Sequence, residues 1–291
     1  MHRFLLHNDD IRDAGDRVLS PGQVGFVNGW GIFSTIRVQD SVLFAWERHW
    51  ARMQRDAVRM RVPFPDDPRW LEDRLNRLID ANHAAHSTLR VIISRNRGGM
   101  WEGPATAERA FETVAFTAPL NDWGDAVKLG IVPQARHAAS EFAGTKYISW
   151  SENLTRYERA HEQGFDEVVL LNERNELAEC TSANLFVVNG SQVFTPPLSS
   201  GCLPGVTRAL LLEEIRVPGI TVSEKILLTS DLESADEVFI TSTTRDLMPV
   251  ASVDGLKIGQ GRQVRDRLQQ AFEAYTTAYV ASKARETEKV L

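Results

Sequence analysis

Gly164-Phe165-Asp166-Glu167-Val168-Val169-Leu170-Leu171-Asn172, followed by Glu176-Leu177-Ala178-Glu179, Asn184-Leu185-Phe186-Val187-Val188-Asn189 and Gln192-Val193-Phe194-Thr195, is the stretch on which the fold turns. Its short apolar runs are separated by polar turn residues. That pattern predicts strands at 166–171, 176–179, 184–189 and 192–195. Gly164 ends a helix expected over about 149–164. Downstream, Pro204-Gly205-Val206-Thr207 opens a helix through about Glu214. Strands are expected at 220–223 and 237–241, and a terminal helix over about 261–284. Upstream lie a strand at 127–132 and a loop to about Tyr147.

The N-terminal half reads differently. Residues 24–46 alternate like paired strands, from Val24-Gly25-Phe26-Val27 through Ile32-Phe33-Ser34-Thr35-Ile36-Arg37-Val38 to Val42-Leu43-Phe44-Ala45-Trp46. From Glu47 the period becomes helical, with Trp50, Met53, Ala57, Val58 and Met60 recurring until Pro63 and Pro65 stop the helix. A second amphipathic helix is expected over 68–86. Leu89-Arg90-Val91-Ile92-Ile93-Ser94 and residues 111–118 read as strands, with a glycine-bearing loop from Arg95 to Gly103 between them. The polar stretch 120–126 reads as a linker between a domain at 1–119 and one at 127–291. The fold class is mixed α/β, helices interleaved with antiparallel-looking strands in two halves.

The 291 residues carry 33 Lys+Arg against 39 Asp+Glu, a net charge of −6. A mildly acidic chain without a basic run is a poor phosphate-backbone binder, so no nucleic-acid partner is expected. Nothing approaches a membrane-spanning apolar run, and Met1 to His7 does not read as a targeting signal. Only Cys180 and Cys202 occur, which excludes a disulfide framework and suits a reducing compartment, so a cytoplasmic location is expected. The seven His show no HExxH or HxH spacing, and no metal site is expected. GxSxG, Walker and GxGxxG motifs are absent.

Lysine occurs only at 128, 146, 225, 257, 283 and 289, which narrows the search for a nucleophilic amine. Lys146, in Gly144-Thr145-Lys146-Tyr147, lies in a loop just before a helix, where an amine at the edge of a buried site acts as a Schiff-base nucleophile. On that feature alone a solvated loop lysine is the commoner case. Glu179 ends a strand among apolar neighbours. A carboxylate there is costly unless it meets a cation, such as a protonated ring nitrogen. Gly205, Val206 and Thr207 start a helix and present backbone N–H groups and a hydroxyl to an anion. Thr241-Ser242-Thr243-Thr244 follows an apolar strand and offers hydroxyl donors. Arg52, on the helix from Glu47, is a further candidate for a phosphate.

In this order the segments resemble the fold-type IV pyridoxal-phosphate enzymes, the aminotransferase class IV family of branched-chain aminotransferases, D-amino-acid aminotransferases, R-selective amine transaminases and aminodeoxychorismate lyases. The resemblance runs from Val24-Gly25-Phe26 to Pro249-Val250. It implies a small N-terminal α/β domain and a larger C-terminal pseudo-barrel domain, with the site between them and a homodimer as the assembly. It also implies roles. Lys146 looks like the lysine that forms the internal aldimine and then shuttles a proton. Glu179 looks like the partner of the pyridine nitrogen of pyridoxal 5′-phosphate. Arg52, Gly205, Val206, Thr207, Ser242 and Thr243 look like the phosphate cup, and Leu203 and Asn184 like residues around the ring. The implied reaction moves an amino group from a branched-chain or other hydrophobic amino acid to a 2-oxo acid such as 2-oxoglutarate. The alternatives are pyruvate elimination as in the lyases and transamination of D-amino acids or R-amines.

Two departures bear on the substrate. Where the family usually has an acid after its phenylalanine, Phe33 is followed by Ser34. Where the lyases carry an Arg after Gly-Gly, Gly98-Gly99 is followed by Met100-Trp101. A substrate carboxylate is expected to meet Arg37, Arg95 or Arg97, with Phe33, Met100 and Thr244 also lining the pocket.

Overall fold

Strands Gly31–Gln39 (β3) and Ser87–Arg95 (β5) pair antiparallel from Gly31 opposite Ser94 to Val38 opposite Ser87. They sit in a six-stranded sheet with β1 (Phe4–His7), β2 (Asp10–Asp13), β4 (Val42–Leu43) and β6 (Phe111–Ala118), in the order β2-β1-β6-β5-β3-β4. The computed structural model describes residues 1–99 and 109–288. Alternation along the strands sorts this sheet into two faces. Ile32, Ile36 and Val38 of β3 and Leu89, Val91 and Ile93 of β5 form one core with Trp46, Trp50, Met53 and Ala57 of helix α2 (Trp46–Met60) and Leu71, Leu75 and Leu78 of helix α3 (Pro68–Ala81). Phe33, Thr35 and Arg37 of β3 and Arg90 and Ile92 of β5 take the other face.

A second sheet, of eight strands, runs β12-β11-β10-β13-β14-β7-β8-β9. Its strands are β7 (Val127–Arg136), β8 (Glu167–Asn172), β9 (Leu177–Cys180), β10 (Asn184–Asn189), β11 (Gln192–Thr195), β12 (Thr221–Glu224), β13 (Glu237–Ser242) and β14 (Asp246–Val253). Its edge strand β9 passes into β10, well inside the order, through Thr181-Ser182-Ala183 alone, and Cys180 N–H donates to Ala183 O at 2.8 Å. A link that short forces the sheet to curl, which makes it a partial barrel. Leu129, Val169, Leu177, Leu185, Val187 and Ile240 fill its core. Helices α4 (Ser151–Glu162), α5 (Val206–Glu213), α6 (Thr229–Glu233) and α7 (Gln263–Glu288) follow in chain order.

The chain separates into two compact units. One holds residues 1–121, Thr145–Trp150 and the chain from Tyr279; the other holds Asp122–Gly144 and Ser151–Ala278. Two segments beyond residue 126 therefore group with the first unit. One of them carries Lys146.

Several elements differ from the expectations. Val24–Val27 is a one-turn helix, α1, rather than a strand, because the backbone folds back there: Trp30 N–H reaches Gly25 O at 2.7 Å. A Cβ at Gly25 would lie 2.3 Å from Arg95 O, so only glycine fits. The strand expected through Trp46 stops at Leu43, and helix α2 begins at Trp46. β1, β2, β14 and α6 went unread. The second sheet is not purely antiparallel: β7 pairs parallel with β8 and β14, and β11 with β12. The helix α4 between β7 and β8 is the crossover that a parallel pair requires.

Candidate active site

The N-terminal end of β3 has an open edge, and the segment around Lys146 fills it. Phe33 N–H donates to Lys146 O at 3.0 Å, Ile148 N–H donates to Gly31 O at 2.9 Å, and Ile32 bridges Tyr147. Lys146 is thus held by sheet pairing rather than standing in a solvated loop. Its own N–H donates to Asp56 Oδ2 at 3.0 Å. Its Nζ lies 4.5 Å from the Phe33 ring centroid and 6.0 Å from that of Trp150.

Helix α2 supplies the surroundings. His49, Arg52 and Asp56 fall at i, i+3 and i+7, on one face. Arg52, 8% exposed, donates from Nη2 to Ser34 Oγ at 2.9 Å, and its Nε is buried without a hydrogen bond. Burial brings its guanidinium down to about 10, against the pull of Asp56, so it stays charged at neutral pH. The Ser34 hydroxyl also meets His49 Nδ1 at 2.8 Å. Burial, then the charges of Arg52 and Lys146, hold His49 well below the usual imidazole range. A neutral ring accepting at Nδ1 satisfies Ser34, which accepts from Arg52 in turn. Ser34, standing where an acid is usual, therefore leaves Arg52 without a neutralising carboxylate at that point.

On the outer face of the sheet, Phe33 and Arg90 are diagonal neighbours, since Phe33 faces Ile92 and Arg90 faces Thr35. The Arg90 guanidinium carbon lies 4.0 Å from the Phe33 centroid and 5.8 Å from that of Trp150. Phe33 and Trp150 meet edge to face at 6.0 Å. Arg90 has no hydrogen bond or ion pair among the described residues; its Nε is buried and burial alone lowers its pKa. A part-buried guanidinium with no carboxylate partner among the described residues is suited to receive an anion.

Of the three arginines expected for that task, Arg37 lies on the same face as Phe33, opposite Thr88. Arg95 donates to the carbonyls of Arg97 and Arg61 and stacks 4.4 Å from the Trp30 centroid, while Arg97 is exposed. Met100 and Trp101 lie outside the described residues.

The second unit holds the rest. Glu179 Oε1 accepts from Arg136 Nε at 3.0 Å, and Oε2 from Leu203 N–H at 2.9 Å. Arg136 is the cation that a carboxylate among apolar neighbours requires. Its Nη2 donates to Asn153 Oδ1, whose amide donates to Thr181 O. Leu203 is tied at both ends, because Asn184 Nδ2 donates to its carbonyl at 2.8 Å. The next turn leads into α5. Gly205 caps it without a side chain, and a Cβ there would lie 2.1 Å from Asn184 Oδ1. Val206 and Thr207 are buried at the start of the helix.

Ser242, Thr243 and Thr244 are half-buried at the β13–β14 turn, where Ser242 Oγ accepts from Arg245 N–H at 3.1 Å. Arg245 is buried against Glu167 and donates to Ser182 Oγ at 2.7 Å. Glu167 accepts in turn from Thr181 N–H at 3.1 Å and Ser182 Oγ at 2.6 Å. One buried carboxylate therefore ties the turn after Glu179 to the hydroxyl-rich turn.

Sequence reasoning passed over Arg90, Trp150, Arg136, His49 and Asp56. Arg90 alone carried a signal: a charge inside the apolar run Leu89 to Ile93.

Curled sheet, edge-docked lysine and glycine-started helix together define a fold-type IV architecture. The sequence profile of the amino-transferase class IV family matches residues 31–253. The chain belongs to that family and is an aminotransferase. The family depends on pyridoxal 5′-phosphate. The branched-chain-amino-acid aminotransferase of Escherichia coli K12 is 30% identical over 88% of this chain and 87% of its own. The aminodeoxychorismate lyase of Vibrio harveyi is 29% identical over 80% and 86%. A crystal structure of an Escherichia coli branched-chain aminotransferase superposes with a TM-score of 0.86 at 26% identity, covering 96% of each chain.

Proposed function

We propose that this aminotransferase moves an amino group from a branched-chain or similar hydrophobic amino acid to a 2-oxo acid such as 2-oxoglutarate. One observation carries the reading. An amine, Lys146 Nζ, and a guanidinium without an anion, Arg90, pack on one ring, Phe33. Amino acids and 2-oxo acids bring a carboxylate to such a receptor, and the Phe33 and Trp150 rings suit an apolar side chain. The likeness to the Escherichia coli branched-chain enzyme supports the same substrate class.

Pyridoxal 5′-phosphate fits these residues. The start of α5 has no side-chain cap, and Arg52 keeps a buried Nε without a hydrogen bond. Both features suit a phosphate. Arg52, Gly205, Val206, Thr207, Ser242 and Thr243 would hold it, with Glu179 at the ring nitrogen and Asn184 and Leu203 beside the ring. When bound, the cofactor supplies an electron sink. Lys146 would hold its aldehyde end and carry a proton at Nζ, Glu179 would face the ring nitrogen and keep it protonated, and Arg90 would orient the substrate carboxylate. Phe33 and Trp150 exclude water from Nζ. The reading extends to a homodimer and to the cytoplasm, the latter suiting two unpaired cysteines.

A panel of amino acids of both hands, with 2-oxoglutarate and pyruvate as acceptors, tests the reaction. Branched-chain donors are expected to yield glutamate. Arg90→Met is expected to raise KM for 2-oxoglutarate by about 10- to 100-fold, the worth of a charged hydrogen-bonded pair. Borohydride reduction followed by peptide mapping is expected to mark Lys146. Release of pyruvate without any acceptor overturns the reading in favour of lyase chemistry.

A further inference from the structure

Resting on the carboxylate reading of Arg90, we propose that Trp150 is a positioning residue that sets the enzyme's preference for carboxylate-bearing substrates by holding the Arg90 guanidinium beside the amine. The guanidinium is anchored by rings, not by hydrogen bonds. Its carbon stands 4.0 Å from the Phe33 centroid and 5.8 Å from that of Trp150, and it has no carboxylate or carbonyl partner among the described residues. Elsewhere among the described residues, other arginines are fixed by acceptors: half-buried Arg136 by Glu179 and Asn153, buried Arg208 by Pro196 O and Glu224, and buried Arg245 by Ser182. An acceptor would hold Arg90 more firmly, but it would occupy N–H donors, and a carboxylate would also neutralise the charge, so either would compete with the substrate. Aromatic faces avoid that competition, because their attraction is weak, broad and leaves every N–H available.

Trp150 is suited to this task by its place in the chain. It follows Lys146 on the same edge-docked segment, and its N–H donates to Ile148 O at 2.8 Å. Its ring meets Phe33 at 72°, so the two planes form a corner. Lys146 Nζ and the Arg90 guanidinium each lie within 6.0 Å of both rings. The corner fixes where a carboxylate sits relative to the amine. Without the indole, the Arg90 side chain regains rotamer freedom and water, both of which reduce its hold on an anion.

The test is calorimetric titration of the cofactor-loaded enzyme with glutarate, a dicarboxylate that cannot react. Trp150→Ala is expected to weaken glutarate about 5-fold, which corresponds to an ion–ring contact of about 1 kcal/mol. Trp150→Phe is expected to recover most of that loss, since a ring remains. In an Arg90→Met background, Trp150→Ala is expected to cost nothing further. An unchanged Kd in Trp150→Ala, or an equal loss with and without Arg90, overturns the positioning role. An unchanged Kd in Arg90→Met overturns the carboxylate reading beneath it. The two failures are therefore distinguishable.

Discussion

Among single residues, Arg136 changes the account of Glu179 most. A lone carboxylate in an apolar strand implied a ligand cation. Instead, an arginine on β7 meets one oxygen and the Leu203 amide the other. Glu179 is thereby oriented before any ligand arrives. Arg136→Met is expected to lower stability by about 2–4 kcal/mol, because it strands a half-buried carboxylate. Thermal melts read the loss directly, and an unchanged midpoint would show that the Leu203 amide alone suffices. Six lysines narrowed the search to Lys146, and the order of motifs that carries the family resemblance singled out Glu179 and the Gly205 turn as candidates in the sequence. Arg136 and Asp56 were not legible. Both act through partners far away in the chain: Arg136 and Glu179 are 43 positions apart, and Asp56 and Lys146 are 90.

For secondary-structure elements, legibility followed period and length. Helix α2 and strands β3, β5, β8 and β10 declare themselves by repeating apolar positions. Helix α6, at five residues, is too short to show a period. Parallel pairing was hidden for another reason: alternation reports which face a residue takes, not the direction of its neighbour. The β8–β9 hairpin allows a test at this scale. Glu176 accepts from Arg174, Asn172 and Ser200, with Arg174 the leading cause that holds its carboxyl down at about 2. A depressed carboxyl contributes stability above its unfolded value of 4.5, and that contribution fades as pH falls from 4.5 towards 2. Urea midpoints at pH 7 and pH 3 should therefore differ less in Glu176→Gln than in the native chain. An equal pH dependence in both would place the acid sensitivity elsewhere.

For the whole molecule, the two free cysteines give a measure of how tightly the second unit closes. Cys180 and Cys202 are 0% and 1% exposed, and burial pushes the Cys202 thiol up to about 12. Neither is expected to react with a thiol reagent at pH 8 until denaturant opens the fold. Fast labelling of the native protein would reveal local opening around Glu179. Among the described residues, no helix is long and apolar enough to cross a membrane. A mixed α/β chain in two halves was foreseeable from the order of strands and helices. The membership of Thr145–Trp150 in the first unit was not, because six residues with no period of their own carry no address. That membership matters during synthesis. Until the ribosome has released the chain through Ile148, the start of β3 presents bare N–H and C=O groups to any passing strand. The segment that brings Lys146 is also the stopper that protects the nascent half-protein from sticking to its neighbours.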